Sequence, residues 1–183
     1  MYTISMGKTL DIAELNTEFK FNQFIVYPIQ GVGQIISIEN KTFKNKEIPY
    51  YIIYFEVSDM TIMVPTDKAV EVGIRKIVAK KESEKALKII SEKDEPLTTD
   101  WKLRYQINLE LLKKGAIGDI AKVVRSLYHR SKQKELPILE RKIFDSAIRL
   151  LIDEISHSLS KTKNESEQLI FARLEADETD DES

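Results

Sequence analysis

Cysteine is absent from this 183-residue chain, which excludes disulfides and thiolate metal sites. The absence fits a reducing cytoplasm. The opening residues, Met1-Tyr2-Thr3-Ile4-Ser5-Met6, lack the basic segment and long apolar run of a leader. No stretch approaches the ~18 consecutive apolar residues of a membrane span. Histidine occurs twice and tryptophan once. His129 and His157 fall on helix-like segments without a spaced metal partner, so no metal or cofactor is expected. Adjacent Asp153 and Glu154 point away from each other on a helix and are not a placed acid/base pair. Gly31-Val32-Gly33 precedes a strand rather than a helix, so it is not a dinucleotide fingerprint. No convergent polar constellation is visible, and an enzyme is not expected.

Charge is unevenly spread. The formal net charge is −2. Residues 1–97 carry 13 basic against 14 acidic side chains. Residues 98–163 carry 14 against 8, a net of +6, and residues 164–183 carry 1 against 8, a net of −7. The basic middle segment suits a polyanionic partner. The acidic end reads as a solvated tail that aids solubility or competes with nucleic acid for the basic face.

Hydrophobic periodicity predicts an α+β chain. Residues 1–18 form an extension with weak helical character around Leu10, Ala13, Glu14 and Leu15. Strand signals follow at Phe24–Tyr27, stopped by Pro28, at Gln34–Glu39, at Tyr50–Val57, and at Met60–Val64, stopped by Pro65. Lys44-Asn45-Lys46 is a turn tip. Short strands with tight turns make residues 19–77 a small, strongly bent antiparallel β module. Residues 78–97 hold a connecting helix, Ser83–Ser91, and a polar linker. Residues 98–163 form a helical domain of three helices, near 99–114, 117–130 and 137–160. Thr98 or Thr99 is the expected N-cap of the first, and Gly115 its end. Gly115-Ala116-Ile117-Gly118 has the form of an RNA-clamping GxxG loop but lacks the interior cation, and a plain helix cap explains it. Residues 164–183 complete the chain as the acidic tail.

The lone tryptophan stands where the β pattern gives way to helix. At ~100° per residue, Leu103, Ile107 and Leu111 share one helix face, and Trp101, Tyr105, Leu109 and Leu112 share the other. Trp101 is therefore either a core anchor or a flat apolar wedge directed at DNA. Lys102 and Arg104 flank it, and a helix N-terminus favours phosphate.

Phe19 to about Ser156 resembles the CarD/CdnL family of bacterial RNA polymerase-binding transcription regulators. The resemblance is carried by Val26-Tyr27-Pro28 with Gly31-Val32-Gly33-Gln34-Ile35, by Thr61-Ile62-Met63-Val64-Pro65, and by Val72-Gly73-Ile74-Arg75. It continues through Asp100-Trp101-Lys102-Leu103-Arg104-Tyr105, Asn108-Leu109 and Lys122-Val123-Val124-Arg125-Ser126-Leu127-Tyr128. About three quarters of the chain is covered, in order. The resemblance implies a Tudor-like β module that docks on the RNA polymerase β subunit, followed by an all-helical domain that binds promoter DNA. It implies that Trp101 wedges into the minor groove at the upstream edge of the melted promoter. Lys102 and Arg104, with Lys122 and Arg125, would contact phosphates. Lys41 and Phe43 fall on the strand the family turns towards polymerase. Met63 stands where some members carry an arginine, a departure that alters the chemistry of that contact. The implied location is cytoplasmic, at the nucleoid through polymerase. An alternative from the residues alone is a Tudor- or KOW-like RNA- or ribosome-associated module, with Tyr27, Tyr50 and Tyr51 stacking on bases.

Overall fold

The computed structural model describes residues 17–43, 46–92 and 98–176, with the Phe43 side chain left out. The expected helical turns around Leu10–Leu15, the turn tip at 44–45, the linker at 93–97 and the end of the acidic tail lie outside the described residues.

Five strands form one antiparallel sheet: β1 (Phe24–Tyr27), β2 (Gly31–Phe43), β3 (Lys46–Phe55), β4 (Met60–Pro65) and β5 (Arg75–Lys76). Their spatial order is β4-β3-β2-β1-β5. Pro28 cannot donate to the ladder, so β1 ends before it. The imperfect alternation of β2 has a physical cause. Its register against β3 slips between Ile35 and Ser37. The extra residue, Ile36, is exposed, and the strand bends there. Tyr51, Ile53, Phe55 and Val64 cover one face, closed by Phe19. Gly33 is required by packing, because a Cβ there would sit 2.7 Å from both Ile53 and Phe55.

The tyrosine platform of the RNA-binding alternative is not formed. Tyr51 is fully buried, and its hydroxyl accepts a hydrogen bond from the Phe19 N–H at 3.0 Å. Tyr27 packs against the same core beside Phe55. Neighbouring residues of a strand face opposite ways, so Tyr50 lies on the other side of the sheet from Tyr51.

Five helices follow: α1 (Lys80–Ile90), α2 (Trp101–Lys114), α3 (Ile117–Gln133), α4 (Ile138–Leu159) and α5 (Lys163–Glu175). Among the described residues, no helix is long and apolar enough to cross a membrane. The predicted stripes are buried: Ile120, Ala121 and Val124 on α3, and Ile143, Ala147 and Leu151 on α4. Two expectations are corrected. The connecting helix, α1, belongs to the helical core through Ala86, Leu87 and Ile90. Much of the supposed acidic tail is α5, which buries Ser166, Ile170 and Leu174 at i, i+4 and i+8. A capping box starts it: Thr162 Oγ1 accepts from the Glu165 N–H, and Glu165 accepts from the Thr162 N–H.

A buried polar clamp links the two cores, and the more exposed Lys163–Glu56 pair, at 3.5 Å, also crosses between them. Arg75 on β5 donates to both carboxylate oxygens of Glu154 on α4, the Nη2–Oε2 distance being 2.8 Å. The same guanidinium donates to the Gly115 carbonyl at 2.6 Å. Glu154 also accepts the Val78 N–H at 3.2 Å. Gly115 sits at φ 69° between α2 and α3, and a Cβ there would meet Pro28 at 3.1 Å. The α2–α3 corner therefore lies against the β1–β2 turn. Gly115 is a left-handed helix terminator, and Ile117 beside it is buried.

Beside the clamp, His157 lies against Phe24, with ring centroids 4.3 Å apart. Burial holds its pKa below the ordinary 6.5, and nearby Lys163 acts the same way, while Asp153 and Glu56 oppose both. The folded state thus favours the neutral imidazole, and the unfolded chain takes up the proton first as pH falls. The stability this gives is complete above pH 6.5 and is lost as pH falls through the folded-state pKa. The melting temperature of the wild type should therefore drop further between about pH 7.5 and about pH 5.5 than that of His157→Phe. Equal drops would show that His157 contributes nothing to the acid sensitivity.

Candidate nucleic-acid interface

The N-cap of α2 is Asp100, not Thr98 or Thr99. Its Oδ1 accepts the Lys102 N–H at 2.9 Å, and its own N–H donates to Thr98 Oγ1 at 3.2 Å. A carboxylate at this end suits the helix dipole. It also engages one of the free N–H groups and adds negative charge there, which weakens the expected phosphate preference of that terminus. Capping by Asp100 makes Trp101 the first helical residue.

The buried face of α2 is Arg104, Asn108 and Leu112, at i, i+4 and i+8. Of the two apolar stripes read from the sequence, only Leu112 reaches the buried line; Tyr105, Leu109 and Leu111 pack beside it partly buried, and Trp101 and Leu103 stay exposed. Trp101 is 40% exposed, so it is not sealed in the core. The Lys102 ammonium lies 5.9 Å from the indole centroid, at the outer limit of a cation–π contact.

Arg104 does not face outwards. It is 4% exposed and forms a bidentate ion pair with the fully buried Glu140, at 2.7 and 2.8 Å. Its Nη1 donates to the Thr98 carbonyl at 2.8 Å. Assignment of Arg104 to phosphate contact is thereby corrected: its guanidinium is buried, with each of its three nitrogens bonded inside the protein, and does not face DNA. Arg125 is corrected on similar grounds. It is largely buried, and its Nη1 donates to the Ile89 carbonyl at 2.9 Å and lies 3.4 Å from Glu92, holding α3 against the end of α1. Lys122 is exposed, and Asp119 lies 3.3 Å from it.

The Arg104–Glu140 pair brings the first turns of α2 and α4 together. That gathers exposed apolar side chains at one end of the bundle: Trp101 and Leu103 from α2, and Ile138, 76% exposed, and Leu139 from α4. The same turn of α4 exposes Arg141 and Lys142, and Lys134 precedes it. These cations were missed in the sequence because nothing in the local pattern joins residues 101 and 141. Glu140, buried three residues into a helix among cations, was the available signal. The patch lies at the end of α2 remote from the sheet. Gly115 touches the β module, and the 14 residues of α2 span roughly 21 Å.

On the β module, Lys41 pairs in register with Ile48, and Met63 with Ile52. Ile48 and Ile52 are four apart on β3, so Lys41 and Met63 share the sheet face opposite Tyr51 and lie about 13 Å apart along the strand. Met63 is 57% exposed on the edge strand β4. Lys41 is exposed and lies 2.6 Å from Glu39. Phe43 ends β2; its side chain lies outside the described residues. Among the described residues, no three metal-ligating side chains converge. Asp153 and Glu154 have separate cations, Lys163 at 3.2 Å and Arg75.

The two cations beside Trp101 should differ sharply on truncation. Arg104→Ala leaves Glu140 charged and unpaired in the core and should cost roughly 3–5 kcal/mol in urea denaturation. Lys102→Ala, at an exposed position, should change stability by no more than about 0.5 kcal/mol. Similar small losses for both would contradict the buried pair.

Comparison with known proteins agrees with this architecture. The CarD-like/TRCF RID domain matches residues 19–78. The CarD C-terminal domain matches residues 85–171, so it takes in the second half of α1 and most of α5, both of which pack in the helical core. The Bacillus subtilis (strain 168) protein named "Putative transcription factor YdeB" is 36% identical over 137 residues, which cover 75% of this chain and 90% of that protein. With both matched domains in order, and a relative this similar over nearly its whole length, the chain belongs to the CarD family.

Proposed function

We propose that this protein is a non-enzymatic transcription regulator that holds RNA polymerase through its β module and stabilises the promoter open complex with Trp101. The sheet face carrying Lys41 and Met63, with Phe43 on the adjoining ribbon, meets the polymerase β subunit. The far end of the helical bundle meets promoter DNA. The observation that carries the reading is one half-exposed indole at the tip of a bundle anchored to the sheet, within a patch of apolar side chains and cations.

Lys102, Arg141 and Lys142 contact phosphates and set position, with Lys122 further along the bundle. Trp101 enters the minor groove beside a partly unstacked step, as apolar wedges do in other minor-groove binders. Contact made only with the melted junction lowers the free energy of that state alone. A differential of about 1.4 kcal/mol shifts the closed-to-open ratio tenfold. Tethering to polymerase raises the local concentration of the bundle at DNA, so a modest cationic surface suffices. Sequence preference then comes from deformability, with pyrimidine–purine steps easiest to distort.

Two experiments separate the halves of the reading. In a promoter-opening assay with purified polymerase, Trp101→Ala should shorten open-complex lifetime roughly tenfold, the loss of about 1.4 kcal/mol. Polymerase binding should stay near the wild-type level. An unchanged lifetime would remove the wedge. Separately, Lys41→Glu should weaken pull-down of polymerase while the helical domain keeps its melting behaviour. Undiminished pull-down would show that this face is not the contact.

A further inference from the structure

We infer that Arg104 and Glu140 are positioning residues for Trp101: their buried ion pair sets the direction in which the indole leaves the bundle. The inference deepens the wedge reading and depends on it for its functional consequence, though not for its structural one.

The other fixings of α2 are mainly apolar: Tyr105, Leu109 and Leu111 pack partly buried against the helical core. The buried face of the helix carries Arg104, Asn108 and a single leucine. Neither the nitrogen nor the oxygen of the Asn108 amide has a partner. Apolar contact is non-directional and would let the first turn of α2 slide or roll over α4. The Arg104 fork is directional. Nε and Nη2 each meet a different oxygen of Glu140, at 2.7 and 2.8 Å, which fixes the plane of the guanidinium against α4. Nη1 meets the Thr98 carbonyl at 2.8 Å, which fixes the chain entering Asp100. Trp101 lies between these two anchors, one residue after the N-cap and three before Arg104. Roll of α2 about its axis would break both bonds to Glu140 and swing the indole with them.

Energetics point the same way. Burying a charged pair carries a desolvation penalty, and apolar residues of similar volume often support a fold equally well. An Arg–Glu pair with both carboxylate oxygens and all three guanidinium nitrogens used therefore contributes orientation that an apolar pair would not.

The chain has one tryptophan, so its intrinsic emission reports this ring alone. The test uses the full-length protein and the double variant Arg104→Leu/Glu140→Leu, with Glu140→Gln as a second variant that keeps side-chain volume. Melting temperature, Trp101 emission and acrylamide quenching are measured without DNA. Open-complex lifetime is measured with purified polymerase. The double variant should melt within about 4 °C of the wild type. Its emission should shift to the red, and its quenching should rise. Its open-complex lifetime should fall towards that of Trp101→Ala, roughly tenfold. Wild-type emission and quenching in a folded variant would overturn the inference, whatever the lifetime. Failure of both variants to fold would overturn it too, since the pair would then supply stability rather than direction. A red shift in the double variant, with a wild-type lifetime for Trp101→Ala, would leave the positioning role standing and sink the wedge reading instead.

Discussion

The Arg75–Glu154 clamp is the constraint on which the arrangement of the protein depends. The sheet and the bundle each close their own apolar core, and neither needs the other to bury its main face. Between them lie the Phe24–His157 ring contact, the Lys163–Glu56 ion pair and one guanidinium that reaches the α4 carboxylate and the Gly115 carbonyl together. Arg75 enters from β5, a two-residue strand whose partner is β1. The clamp thus ties the edge of the sheet to the middle of the bundle. Its value lies in geometry: a guanidinium satisfied from two elements at once permits little relative rotation, whereas an apolar seam of equal area permits more.

Helix α4 carries that geometry to the far end. Glu154 and Glu140 are fourteen residues apart on it, about 21 Å, and 3.6 residues per turn brings them close to one face. Each is buried and each is paired with an arginine from another element. One pair attaches the helix to the sheet and the other attaches it to the start of α2. The helix acts as a strut with a carboxylate near either end. The sheet face with Lys41 and Met63 and the bundle tip with Trp101 are thereby held at a set separation. In the proposed function, a fixed offset of this kind would concentrate the tip at one place on DNA, where a loose linker would spread it over many.

Much of this was legible in the sequence, and what was not has specific physical causes. Four strands and the apolar stripes of α1, α3 and α4 follow from period alone, because burial of one face enforces it. Acidic composition concealed α5, although Thr162 and Glu165 spell a capping box and Ile170 and Leu174 follow at helical spacing. The bulge at Ile36 blurred β2, since one inserted residue reverses every side chain beyond it. Arg104 and Arg125 looked like surface cations because their partners are distant in the chain, Glu140 by 36 residues and the Ile89 carbonyl also by 36. Burial of a charge depends on such a partner, and no local pattern announces one. Met63 and Lys41, by contrast, reach one sheet face by the simple parity of strand pairing.

The helix that carries the exposed indole also turns a mostly polar line inwards, and the two facts have one origin. A helix that buries an apolar stripe presents its polar side to water. The first turns of α2 depart from this: Arg104 and Asn108 take the inward line, with Tyr105, Leu109 and Leu111 packed beside it, and Trp101 and Leu103 are left partly in solvent. As a way of maximising buried apolar area this is inefficient. It is, however, a way to keep a large flat side chain at the surface while its backbone is fixed from within. A tryptophan on an ordinary amphipathic helix would tend to turn into the core, where its area gains most. Here the inward position is already filled by a guanidinium that has no better place to go. The polar interior of α2 is thus what keeps its apolar residue outside, and local departures from packing economy of this kind are expected where a protein meets its partner.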